Sequence, residues 1–166
     1  MNALQESAHL CLRYLVILLL AGCASQDQAI KLFTTDGCSL FPDGEIARRK
    51  CCLNHDLHYW QGGSKRDRKE ADVAFKQCVQ SASDSRLLAA TMYRGVRIGG
   101  HPVLPTKFRW GYGWAYGRLY RPLNQMERNS IAESLADLHE AVVTSCSQSI
   151  EFSCADVEAM PTESKQ

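Results

Sequence analysis

The spacing of apolar and polar residues predicts two consecutive helices near the middle of the chain. The first runs from about residue 45 to 60 and the second from about residue 65 to 79, with Gly62-Gly63-Ser64 as a reversal between them. Because this connection is so short, we expect the two helices to be antiparallel neighbours. Asp72, on the second helix, would then lie opposite the part of the first helix that carries His55.

Two further helices are predicted towards the C-terminus. Asp84 or Ser85 caps a third helix, which ends at Gly99-Gly100. A fourth runs from about residue 127 to 146 and carries an apolar stripe that indicates packing: Ile131, Leu135, Leu138 and Val142. The predicted fold class is mainly α, with a long aromatic loop between the third and fourth helices.

The first helix carries a group of side chains that suggests chemistry. Neighbours one turn apart are Cys51 and His55, Cys52 and Asp56, and His55 and Tyr59. His55 is a candidate base and Asp56 a candidate metal ligand, because adjacent helix positions can face adjoining parts of one cleft. The alternative is a buried core histidine beside a solvated acid.

The N-terminus has the pattern of a targeting segment. The apolar run at residues 14 to 20 is shorter than the roughly 20 residues that span a bilayer. Leu20-Ala21-Gly22-Cys23 resembles the bacterial lipobox, whose cysteine is lipidated and becomes the first residue. A plain secretory signal with a chance cysteine is the alternative. Because Ala24 follows Cys23, the resemblance favours anchoring in the outer membrane, facing the periplasm.

Export determines how the eight cysteines are interpreted. Cys11 would leave with the signal and Cys23 would carry lipid, which leaves an even set: Cys38, Cys51, Cys52, Cys78, Cys146 and Cys154. An even set in an exported chain indicates a disulfide framework, in which we expect Cys146 and Cys154 to close a small loop. An oxidising compartment and helical spacing disfavour a zinc site built from Cys52, His55 and His58.

Residues 94 to 121 contain arginines, lysine and aromatic rings but no acid, in a chain of formal net charge +1. This composition suits a lipid headgroup layer, so four residues are predicted to face a membrane: Arg109, Trp110, Trp114 and Arg118. Stacking on single-stranded nucleic acid is disfavoured for a lipidated, exported protein. Packing of the rings on the body of the protein remains an equal alternative.

Three motifs, taken together, carry a family resemblance. Asp36-Gly37-Cys38, Cys52-x-x-His55-Asp56-x-x-Tyr59 and Asp72-x-x-Phe75 resemble the secreted phospholipase A2 superfamily, and the likeness is greatest to its bacterial and fungal branch. The resemblance covers roughly residues 34 to 80. The region from Arg86 to Pro122 has no counterpart in it, and the glycine-rich calcium loop of animal enzymes is absent.

The resemblance implies a role for each matched residue. His55 would be the general base, Asp72 the acid that orients it, and Tyr59 a hydrogen-bonding support for Asp72. Calcium would be held by the Asp36 and Asp56 carboxylates and the Gly37 carbonyl, which suits a hard cation. The implied disulfides are Cys38–Cys52 and Cys51–Cys78.

The function that follows is calcium-dependent hydrolysis of the acyl ester of glycerophospholipids. The alternatives are a non-catalytic lipid- or envelope-binding lipoprotein on the same scaffold, or an unrelated metal-binding lipoprotein. The expected partner is a phospholipid membrane and not nucleic acid. The sequence does not assign an oligomeric state. The expected organisation is a signal peptide (1–22), lipidated Cys23 and a linker (23–33), a phospholipase A2-like domain (34–125), a C-terminal helix with the Cys146–Cys154 loop (126–158) and a disordered tail (159–166).

Overall fold

The computed structural model describes residues 29–39, 41 and 46–148. The predicted signal peptide, the lipidation of Cys23, the Cys146–Cys154 bond and the C-terminal tail lie outside the described residues. Within the described residues the chain is mainly helical, with no strand and four helices: α1 (Ile46–Gln61), α2 (Lys65–Ser83), α3 (Arg86–Gly99) and α4 (Gln125–Gln148). In this part of the chain, no helix has the length and apolar character needed to cross a membrane.

Local hydrogen bonds explain where α2 and α3 begin and end. Ser64 caps α2 reciprocally, because its hydroxyl accepts from the Asp67 backbone while the Asp67 carboxylate accepts from the Ser64 backbone. α2 runs four residues beyond the predicted end and stops where Asp84 takes a left-handed conformation. Ser85 then caps α3 through the Leu88 backbone N–H.

A first core cluster surrounds the disulfides. Cys38 is bonded to Cys52 and Cys51 to Cys78, the two pairings implied by the resemblance. Buried apolar residues from α2 and α3 complete this cluster: Phe75, Val79, Ala89 and Met92. The disulfides therefore attach α1 both to the preceding loop and to α2.

A second core cluster is aromatic and corrects the membrane-surface prediction. Arg109, Trp110 and Trp114 are only 6%, 2% and 4% exposed, and the Arg118 side chain is 5% exposed. The prediction that these four residues face a membrane is therefore wrong. Their segment, residues 108–120, packs against Trp60 of α1 and against α4, as the packing alternative expected.

The physical reason for this burial is the C-terminal end of α1. A helix leaves its last carbonyl groups without intrahelical partners. Here the carbonyls of Tyr59, Trp60 and Gln61 accept from Gly111 N, Gly113 N and Trp114 Nε1 at 2.6, 3.2 and 2.7 Å. The aromatic segment therefore completes α1.

The two buried arginines hold this segment in shape. Arg109 donates to the carbonyls of Gly111 and Trp114, at 3.3 and 3.0 Å. Arg118 donates to the Glu127 carboxylate of α4 at 2.8 Å, so the balancing acid lies just beyond the basic stretch. Both guanidinium groups therefore form hydrogen bonds to other parts of the protein.

Candidate active site

The centre of the candidate site is a histidine–carboxylate pair. His55 Nε2 on α1 lies 2.9 Å from Asp72 Oδ1 on α2, and the two residues are 5% and 0% exposed. Tyr59 donates its hydroxyl to the same Asp72 oxygen at 2.8 Å. The imidazole lies between the rings of Tyr59 and Phe75, with centroid distances of 4.2 and 4.5 Å. The three residues predicted to be catalytic therefore form one buried network.

Two arginines that the sequence analysis did not assign also belong to this network. Arg97 of α3 donates to Asp72 Oδ2 at 2.7 Å. Arg68 of α2 is fully buried, donates to the Tyr59 hydroxyl at 3.0 Å and lies 3.8 Å from Asp72 Oδ2. The spacing of Arg68 four residues before Asp72 on one helix was an available signal. Arg97 carried no such signal, because it reaches Asp72 from another helix.

The network sets the protonation of the pair. Burial raises the pKa of Asp72, but hydrogen bonds from His55, Arg97 and Tyr59 outweigh burial and hold that pKa below its usual value. Burial lowers the pKa of His55, and the nearby Asp72 charge offsets this only in part. At neutral pH the pair therefore consists of a carboxylate and a neutral imidazole.

A second buried carboxylate, Asp56, lies in a different environment. It accepts a hydrogen bond from the Thr35 hydroxyl at 2.6 Å and is 7% exposed. Burial, together with the charge of Asp36, raises the pKa of Asp56 to about 7, against the lowering effect of Thr35. Asp56 is therefore a carboxylate whose negative charge the protein balances poorly.

The loop that carries Asp36 is ordered by short-range contacts. Gly37 has a left-handed φ of 71° and donates its N–H to the Thr35 hydroxyl at 3.0 Å. Ser39 donates to Asp36 Oδ1 at 2.9 Å, and the bond between Cys38 and Cys52 fixes the loop to α1. These contacts hold the Asp36 loop beside the middle of α1, where Cys52 and Asp56 lie.

The donor set allows a test of the predicted calcium site. The described residues contain no group of three or more His, Cys, Asp or Glu side chains placed to hold a metal ion. Asp36, Asp56 and Gly37 supply two carboxylates and a backbone carbonyl, and oxygen is the ligand that calcium prefers. Burial, with a smaller contribution from the Asp36 charge, raises the pKa of Asp56, and a cation beside this carboxylate would favour its ionised form. The chemistry of these oxygens suits calcium, and water would have to supply the remaining ligands.

All three predicted calcium residues border the same cavity as His55 and Tyr59. The cavity has a volume of about 400 Å³ and a largely apolar lining that includes Phe41, Phe75, Met92, Val96 and Phe108. The four residues predicted to contact a membrane do not line it. The arrangement places a candidate base and two carboxylates next to a space suited to an apolar ligand.

Comparisons with protein-family models, with curated proteins and with solved structures gave no match for this chain. The function is therefore inferred from the residues and their geometry.

Proposed function

We propose that this protein is a calcium-dependent, phospholipase A2-like hydrolase that cleaves the acyl ester of glycerophospholipids. The observation that carries the proposal is the buried network of His55, Asp72 and Tyr59 at the edge of an apolar cavity that Asp36 and Asp56 also border. A base, its orienting acid and a candidate cation site are the parts that such a reaction needs.

His55 is the general base. Because Asp72 is ionised and can only accept, the hydrogen bond between them places the imidazole proton on Nε2. Nδ1 is then the nitrogen that takes a proton from water, and that water attacks the ester carbonyl carbon directly. Asp72 stabilises the imidazolium that forms. His55 then returns the proton to the leaving oxygen, and no serine nucleophile is required.

Asp36, Asp56 and the Gly37 carbonyl would hold the calcium ion. When bound, calcium stabilises the negative charge that develops on the ester carbonyl oxygen. The two carboxylates that border the cavity support this assignment, because their mutual repulsion is one cause of the raised pKa of Asp56.

The order of contacts between α1 and α2 also supports the proposal. Cys51 is bonded to Cys78, His55 contacts Asp72 and Tyr59 contacts Arg68, so positions that increase along α1 meet positions that decrease along α2. We take this pair as the antiparallel, disulfide-linked helices expected for the active site.

The apolar lining of the cavity favours a lipid substrate over a small polar ester. Burying each CH₂ group of an acyl chain contributes about 0.8 kcal/mol. The membrane is then the source of substrate, and a lipidated Cys23 in the outer membrane of a bacterial envelope would keep the enzyme at that surface.

The test is release of fatty acid from phospholipid–detergent mixed micelles, with calcium or with a chelator. Release that requires calcium and is abolished by His55→Asn is the expected result, because the amide cannot accept a proton at neutral pH. His58→Asn, on the same helix but outside the cavity lining, is the matched control and should keep turnover. Wild-type turnover in His55→Asn would remove the mechanism. Phospholipid binding without turnover by the wild-type protein would support the non-catalytic alternative.

A further inference from the structure

The Asp72 carboxylate is held through both of its oxygens. Oδ1 accepts from His55 Nε2 and from the Tyr59 hydroxyl, whereas Oδ2 accepts from Arg97 at 2.7 Å. A carboxylate bound on one oxygen can rotate about its Cβ–Cγ bond. With Arg97 on the second oxygen, that rotation breaks a charged hydrogen bond, which is stronger than a neutral one.

The helix turn that carries Arg97 is itself fixed to the site. Arg68 donates to the backbone carbonyls of Val96 and Arg97, at 3.0 and 2.8 Å. The Tyr59 hydroxyl, which donates to Asp72, lies 3.2 Å from the Val96 carbonyl oxygen, and any side chain at Gly100 would collide with the Tyr59 ring. The C-terminal turn of α3 therefore has one defined position against the histidine–carboxylate pair.

Arg68 and Arg97 have different roles in this arrangement. The nitrogens of Arg68 are directed to the hydroxyls of Tyr59 and Tyr120 and to the two α3 carbonyls. Arg97 donates to Asp72 Oδ2 at 2.7 Å, much closer than the 3.8 Å of Arg68 Nε, and the Arg97 side chain is 30% exposed. Arg68 supports α3, and Arg97 supports Asp72.

We propose that Arg97 is a positioning residue for hydrolysis, which holds the Asp72 carboxylate so that Oδ1 stays in line with His55 Nε2. The inference rests on the proposed hydrolase function. It assigns a part in that function to α3, which belongs to the region without a counterpart in the family that the chain resembles. Arg97 acts through Asp72, so its loss should lower kcat and leave KM largely unchanged.

The first arm of the test is kinetic. Arg97→Ala should lower kcat on the order of 100-fold, since a displacement of about 1 Å at an orienting group costs about that much. Arg97→Lys, which keeps a charged donor, should recover part of the loss. Because the Arg97 side chain is partly exposed, guanidinium ion below denaturing concentration should also restore kcat to Arg97→Ala. It should not restore His55→Asn. Arg94→Ala, an exposed position on the same helix, is the matched control.

The second arm does not need turnover. Nitrogen-15 NMR of the substrate-free protein detects the His55 Nε2–H proton that is bonded to Asp72. That signal should persist in Arg94→Ala, be lost or broadened in Arg97→Ala, and return with guanidinium. If Arg97→Ala fails to fold, Arg97→Gln, which keeps most of the volume without the charge, replaces it in both arms.

The outcomes separate this inference from the proposed function. Unchanged kcat and an unchanged His55 signal in Arg97→Ala would overturn the positioning role. A fall in kcat with an intact signal and no recovery by guanidinium would also overturn it. If the wild-type protein hydrolyses no phospholipid, the proposed function fails, and the NMR signal alone then decides whether Arg97 orients Asp72.

Discussion

Asp72 and Asp56 are both buried carboxylates, 0% and 7% exposed, yet their pKa values are shifted in opposite directions. Asp72 accepts from His55, Tyr59 and Arg97, and its pKa lies below the usual value. In the described part of the chain, one side chain, Thr35, donates to the Asp56 carboxylate, whose pKa rises to about 7.

The difference shows that burial alone does not decide the charge of a carboxylate: three donors outweigh burial at Asp72, whereas one donor does not at Asp56. Burial disfavours the ionised form at both positions, but at Asp72 charged and neutral donors reverse the effect. At Asp72 the protein itself supplies the donors that stabilise the negative charge. At Asp56 a bound cation would stabilise the negative charge that the protein leaves poorly balanced. This property is expected of a metal ligand before the metal binds.

The largest expected loss of stability comes from removing the Asp72 carboxylate. Asp72→Ala leaves Arg97 and His55 without their acceptor, and breaking such a buried network costs about 3–5 kcal/mol. The measurement is urea-induced unfolding in the presence of a chelator. Asp56→Ala should cost clearly less under the same conditions. Equal losses of stability would contradict the contrast between the two sites.

The pH dependence of stability should differ because of Asp56. A carboxyl whose pKa is raised from 3.8 to about 7 on folding binds protons more tightly in the folded state. In chelator, this group should therefore lower the free energy of unfolding as pH rises from about 4 to about 7, at up to roughly 1.4 kcal/mol per pH unit.

His55 opposes this trend, because its lowered pKa destabilises the folded state below about pH 6.5. The informative quantity is consequently the difference in unfolding free energy between wild type and Asp56→Asn at each pH. That difference should change across the window from about pH 4 to 7. A difference that does not vary with pH would mean that Asp56 is ionised normally.

Calcium should raise the stability of the folded protein by balancing the negative charge of Asp56. At 100 times its dissociation constant, a ligand that binds only the folded state adds about 2.7 kcal/mol. The shift in thermal unfolding should be larger at pH 8 than at pH 6, since a proton on Asp56 competes with the ion. Asp36→Asn and Asp56→Asn should each reduce the shift, whereas Asp137→Asn, an exposed acid on α4, should leave it unchanged. An equal shift in all variants would place calcium elsewhere.

The smallest expected effects come from removing single hydrogen-bond donors to Asp56 and to Asp72. Thr35→Val removes the side-chain donor to Asp56 and should raise its pKa further, with a loss of about 1 kcal/mol at neutral pH. Tyr59→Phe removes one donor from Asp72, which keeps His55 and Arg97 and should stay ionised. Carbon-13 NMR of the two carboxyl groups distinguishes these results. Protonation of Asp72 at neutral pH in Tyr59→Phe would contradict the prediction.

The sequence predicted the parts of the site that depend on local periodicity. α1 lies within one residue of its predicted bounds, because Gly62 and Gly63 set its end and the apolar spacing sets its length. The short turn brings α2 beside α1, so the approach of Asp72 to His55 followed from helix geometry.

The parts that depend on distant packing escaped prediction. Arg97 reaches Asp72 from α3, and Arg68 fixes the last turn of that helix through two backbone carbonyls, an arrangement that no local pattern reveals. The aromatic segment has a composition that suits either a membrane or a core. Its burial was decided by the unpaired carbonyls of α1 and by Glu127, which lies outside the segment.

The capping of α1 by the aromatic segment has a consequence for the order of folding. Trp114 is 53 positions along the chain from Gln61, whose carbonyl accepts its hydrogen bond. The last turn of α1 can therefore gain its final hydrogen bonds only after a distant segment has packed against it. Until the aromatic segment is in place, the last carbonyls of α1 lack these partners and the turn should stay frayed. Once formed, the Gly111 and Gly113 amides should exchange their hydrogens only when the whole domain opens. Slow exchange at these two amides would therefore show that the end of α1 has closed.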